Sequence, residues 1–120
     1  MTSSNSRGAK LSEVLAELKA EYRQKFPEKL AKLRALHASQ DWPALKEEFH
    51  KLKGTGRTYG YPEVSQLCEA LEQLCGKPSV SASLVEKCFP VFEKMLTAWQ
   101  DGHLYDLSLN EDAQEILEGA

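Results

Sequence analysis

Apolar residues recur every three or four positions in four successive stretches of this chain, and nowhere do they alternate over a run bounded by turn residues. That period stacks side chains on one face of an α-helix and argues against a sheet. Val14, Leu15, Leu18, Tyr22 and Phe26 form the first stripe, with Ser12 as its candidate cap. Pro27 interrupts it, and Leu30, Ala31, Leu33 and Leu36 resume it to about Ala38. Asp41 suits an N-cap and Pro43 a first turn, so a second helix is expected over 43–60. Its narrow stripe is Leu45, Phe49, Leu52 and Gly56. A third helix opens at Tyr61-Pro62, buries Val64, Leu67, Cys68, Leu71, Leu74 and Cys75, and stops at Gly76-Lys77-Pro78-Ser79. The last long helix starts near Ser81 or Ser83 and turns Leu84, Val85, Cys88, Phe89, Phe92, Met95, Leu96 and Trp99 inward. Pro90 marks a kink or boundary in it, and Asp101-Gly102 ends it.

Helices joined by short polar links predict an all-α fold, an up-and-down four-helix bundle with an additional N-terminal helical segment. The expected division is a disordered tail over residues 1–9, the bundle over 10–101, and a C-terminal extension over 102–120. Asn110 to Leu117 in that extension reads as a short capped helix.

At 120 residues the chain suits one domain. A formal charge of −3 argues against nucleic acid as a partner. No apolar run is long enough to span a bilayer, and MTSSNSRGAK lacks the apolar segment of a secretory signal. Neither membrane contact nor export is expected, which points to the cytoplasm. Cys68, Cys75 and Cys88 are odd in number, contain no C-x-x-C pair and have no histidine at ligand spacing, so buried reduced thiols are expected rather than a metal site.

The segment FHKLKGTGRTYG, Phe49 to Gly60, does not fit a purely structural helix. Each interior glycine costs about 1 kcal/mol relative to alanine. Gly56 falls on the buried stripe, where a missing side chain lets a neighbouring helix approach. Gly60 suits the helix end. Gly54 lies one turn beyond His50 on the same face, and His50 itself sits about 130° from the stripe's centre, outward. An absent side chain at Gly54 keeps the space over the imidazole open to a large partner. Neutral imidazole is a nucleophile near neutral pH. Lys53, one turn on, is placed to steady a phosphoryl group there. Lys46 and Arg57 extend a weaker positive field suited to an acidic partner surface. The glycine spacing is G-x-G-x-x-x-G with no strand before it, which is not a dinucleotide fingerprint, and no G-x-x-x-x-G-K-[ST] loop occurs.

His50-Lys51-Leu52-Lys53-Gly54-Thr55, followed by Gly60, resembles the signature of histidine-containing phosphotransfer (HPt) domains. The likeness extends through Leu33-Arg34-Ala35-Leu36, Asp41-Trp42 and Leu45 on one side and Cys68-Glu69-Ala70-Leu71-Glu72 on the other, roughly residues 11–100. Thr55, Arg57 and Tyr59-Gly60-Tyr61-Pro62 depart from the commoner pattern and bear on partner choice. The resemblance implies a four-helix bundle in which His50 takes phosphate on Nε2, Lys53 supports it, Gly54 keeps the approach clear and Glu72 orients the imidazole. Without the resemblance, Glu72 reads as a solvated helix residue. The implied activity is that of a free-standing phosphorelay intermediate, not an ATP-dependent kinase; a bundle of this size suits a monomer. It would accept phosphate from the aspartyl phosphate of one receiver domain, as in hybrid histidine kinases, and pass it to the receiver aspartate of a response regulator. No cofactor of its own is implied; Mg²⁺ is expected on the receiver. The rival reading is a non-catalytic helical adaptor using the same face. A metal bundle built on His37, His50 and His103 is disfavoured because they lack i, i+4 pairing.

Overall fold

The computed structural model describes the backbone from residue 3, and the side chains from residue 10, through to Ala120. The described residues form helices and no strand: α1 Ser3–Ala38, α2 Trp42–Thr58, α3 Pro62–Cys75, α4 Ala82–Glu86, α5 Cys88–Gln100, a 3-10 turn Leu107–Leu109, and α6 Glu111–Gly119. The links at 39–41 and 59–61 are short enough that each helix must run back along its predecessor, which gives an up-and-down helical bundle of α1, α2, α3 and α5.

The second helix follows its sequence signals closely. Asp41 caps it, its Oδ1 accepting from Ala44 N at 3.2 Å. The buried stripe is Leu45, Phe49, Leu52 and Gly56. Gly60, at φ +86°, takes the left-handed conformation that ends the helix with little strain only for glycine. All six apolar residues expected inside α3 are buried. All three cysteines are free and buried, and burial pushes all three thiols up, that of Cys75 to about 11.

The first helix differs from expectation in three ways. It runs unbroken through Pro27, although proline in a helix interior costs about 3 kcal/mol. Tyr22, Phe26, Leu30 and Leu33 flank Pro27 and all bury in one core, and burying each such side chain returns about 1.5–3 kcal/mol. Ser12 is therefore interior rather than a cap. The backbone of residues 3–9, expected to be disordered, continues α1, while residues 1 and 2 lie outside the described residues. That stretch holds no proline, and a helix nucleated by packed turns extends readily. Finally, Val14, Leu15 and Leu18 are 46%, 58% and 39% exposed. Leu15 and Leu18 lie beside Thr58, Tyr59 and Gly60, so the turns before them run past the end of α2 and meet no partner within the bundle.

The stretch from Ser81 to Gln100 is two helices, not one. Ser81 caps α4, its Oγ accepting from Leu84 N, and the chain re-enters the helix at Cys88 with Pro90 in the first turn of α5. The C-terminal extension is part of the packed fold. Leu107, Ala113 and Ile116 are buried in the common core, and Asn110 caps α6 through Ala113 N at 2.9 Å. Buried Glu63 ties this segment to the bundle: its Oε2 accepts from Trp99 Nε1 at 3.0 Å and from Tyr105 N at 2.9 Å.

Candidate functional site

The geometry of the site starts from Gly56. A Cβ there would lie 2.9 Å from Val64 Cβ and 3.0 Å from Ser65 N, so α2 and α3 are packed backbone to backbone at this point. Ser65 Oγ donates to the Lys53 carbonyl and pins the same register. The two helices are antiparallel. Stepping from Gly56 back to His50 on α2, and from Ser65 forward to Glu72 on α3, brings these two side chains face to face.

His50 is 65% exposed, and its Nδ1 lies 2.9 Å from Glu72 Oε2. The other carboxylate oxygen, Oε1, is 2.8 Å from Lys53 Nζ. Glu72 is mostly covered, at 18% exposure, so it sits beneath a triangle whose two other corners are His50 and Lys53. The Lys53 ammonium holds the Glu72 carboxyl below its usual range; burial pushes the other way and His50 adds a smaller lowering. An ionised carboxylate only accepts hydrogen bonds. Nδ1 therefore carries the imidazole proton, and the lone pair lies on Nε2, which makes no hydrogen bond among the described residues.

Above the ring the surface is open. A Cβ built at Gly54 meets nothing within 4 Å. Lys51 turns aside to Glu47 and Glu48. Lys46 lies with Lys53, Glu69, Glu72, Gln73 and Gly76 around a shallow depression beside the ring. Arg57 is exposed on α2 two turns beyond His50 and makes no ion pair among the described residues. The structure thus brings His50, Lys53 and Glu72 together, sets Lys46 beside Lys53 and Glu72 at the depression, leaves the space at Gly54 clear, and sets Arg57 apart. Glu69 and Gln73 were missed by the sequence reading. They share a face with Glu72 and Gly76 at helical spacing on α3, which was the available signal.

The other histidines lie elsewhere. His37 Nε2 contacts the Ala82 carbonyl at 2.9 Å, with its ring edge-on to Trp42 and Phe89. His103 is on the exposed loop after α5. Among the described residues no three His, Cys, Asp or Glu side chains gather as a metal cluster, and no helix is long and apolar enough to cross a membrane.

Glu72 supplies a test of this electrostatic arrangement. Because its carboxyl is depressed in the folded state, its contribution to stability is present above the unfolded carboxylate pKa and is lost as pH falls through the lower folded value. Lys53→Met removes the largest cause. The Glu72 carboxyl, followed by ¹³C NMR titration, is then expected to move up toward the ordinary carboxylate range, carrying the window of acid loss with it. An unmoved titration in Lys53→Met would show that Lys53 is not what holds the carboxyl low.

The family model described as Hpt domain matches residues 17–102. Domains of this family act in phosphotransfer within two-component phosphorelays and interact with receiver domains. No curated protein and no solved structure matches the chain. With the match spanning α2, α3, α5 and most of α1, in an all-helical bundle, the chain belongs to the Hpt domain family.

Proposed function

We propose that this protein is a phosphorelay intermediate in which His50 carries the phosphoryl group. The observation that carries the reading is the pairing of an unengaged Nε2 with an Nδ1 held on Glu72. In the proposed step the Nε2 lone pair attacks the phosphorus of a receiver's aspartyl phosphate. The N–P bond forms as the P–O bond to the aspartate breaks, and the aspartate leaves as a carboxylate. No proton needs to move: Nδ1 keeps its hydrogen, and the positive charge gained by the ring lies against the Glu72 carboxylate. Lys53, released from Glu72 Oε1, turns to the phosphoryl oxygens. The receiver brings Mg²⁺ and the acidic residues of its own site, and the protein needs no cofactor of its own. Passage to a second receiver is the reverse of the same step.

The access at Gly54 and the cationic side chains Lys46 and Arg57 suit a large acidic partner surface docking over α2 and α3. The reading places the protein in the cytoplasm, where such receivers work. The rival, a non-catalytic adaptor, has no use for a half-buried carboxylate aimed at one ring nitrogen.

The test is transfer from a phosphorylated receiver domain. The protein is expected to acquire a label that is stable to alkali and lost in acid, as a phosphoramidate is. Absence of label from a broad panel of receivers, in the presence of Mg²⁺, would favour the adaptor.

A further inference from the structure

A second site lies at the other end of α2. Gly60 and Tyr61 are about 15 Å along the helix axis from His50, at 1.5 Å per residue. Here Lys19 and Arg23 stand one turn apart on α1, both partly buried. Like charges at that spacing repel, and among the described residues neither is ion-paired with a carboxylate. They edge a cleft of about 250 Å³ that Tyr61, Trp99 and His103 also line. Arg23 Nη1 donates to Tyr61 Oη at 2.9 Å and makes no other side-chain hydrogen bond among the described residues. Lys19 Nζ sits 4.9 Å from the centre of the Tyr61 ring. The aromatic floor thus holds both cations in place without neutralising either.

The cleft has a fixed frame. Glu63 is buried, and its Oε2 accepts from Trp99 Nε1 and Tyr105 N, so it anchors the floor and the loop that carries His103; it forms no ion pair with Lys19 or Arg23. Gly102, at φ +85°, makes the turn that brings this loop over the cleft. Asp101 is exposed and forms no ion pair among the described residues. Two unpaired cations around one opening, with no acid on its rim, describe a receptor for a dianionic oxyanion.

We propose that this cleft binds the phosphate group of a small molecule, with Lys19 and Arg23 as its principal contacts. The site is separate from His50 and does not depend on the relay reading.

The experiment is an NMR titration of the whole chain with inorganic phosphate and with methyl phosphate, at constant ionic strength set by chloride. The Trp99 indole N–H and the Gly102 and His103 amides are the reporters. A saturable shift of all three with one half-point is expected. It should weaken at least about tenfold in Lys19→Gln and in Arg23→Gln, and stay unchanged in Lys46→Gln. Lys19→Gln leaves the Tyr61 hydrogen bond intact, so a folding defect in Arg23→Gln would not obscure the answer. A linear shift that chloride reproduces, saturation centred on His50 and Lys53 instead, or undiminished binding in folded Lys19→Gln would each overturn the proposal.

Discussion

Replacing His50 by glutamine is expected to abolish acceptance of phosphate altogether while the bundle stays folded. The side chain is 65% exposed, and glutamine is a good helix former. Its hydrogen bond to Glu72 lies near the surface, so removing it should change stability by no more than about 1 kcal/mol. The chemical loss is total because no other side chain among the described residues reproduces the site. His37 is engaged with the Ala82 carbonyl and hemmed by two aromatic rings, and His103 has no carboxylate on its ring nitrogens. Acid-labile label after incubation with a phosphorylated receiver, read beside a thermal melt, separates the two effects. Label persisting in a folded His50→Gln protein would assign the acceptor elsewhere.

The second large effect is expected at Gly56, and it falls on stability first. Valine at this position would drive its branched carbons into Val64 and into the backbone of Ser65, atoms that cannot swing away. Overpacking of this kind typically costs 1–3 kcal/mol, and the upper end, about 3 kcal/mol, is expected because the obstacle is main chain. Moving α3 off α2 would also draw Glu72 away from His50, so transfer should fall in whatever fraction remains folded. Gly54, half a turn away, is the contrast. With nothing within 4 Å of its would-be Cβ, Gly54→Gln should stabilise the helix by several tenths of a kcal/mol to about 1 kcal/mol yet slow transfer by crowding the approach to the ring. Denaturant melts of both variants, beside transfer rates, check the pair. Equal stability for Gly56→Val and the native chain would remove the close-contact account, and native transfer rates in Gly54→Gln would remove the access account.

These two glycines also mark how far the sequence could be read. Their different surroundings follow from the apolar stripe alone, because Leu45, Phe49 and Leu52 set the inward direction and Gly56 falls on it while Gly54 does not. The cap at Asp41 and the stop at Gly60 were legible for the same local reasons, and the start of the helix after residue 80 was narrowed to Ser81 or Ser83. What needs the relative register of two helices was not. The opposition of His50 and Glu72 depends on the antiparallel offset fixed at Gly56 and Ser65, and periodicity within one helix carries no information about that offset; only the family likeness pointed to it. Glu63 was missed for a related reason, since its partners come from α5 and from the loop before the 3-10 turn. Pro27 misled because a local penalty was outweighed by burial on both sides of it. The exposed Val14, Leu15 and Leu18 show the converse, a periodic apolar face that the bundle leaves largely uncovered.

The central claim concerns one atom, and one measurement addresses it directly. The protein, labelled with ¹⁵N in its histidine rings, is phosphorylated by a receiver domain and its imidazole nitrogens are observed by ³¹P-coupled NMR. The account predicts a single phosphohistidine, His50, with phosphorus bonded to Nε2 and the proton retained on Nδ1 beside Glu72. Phosphorus on Nδ1, or on any other residue, would contradict it.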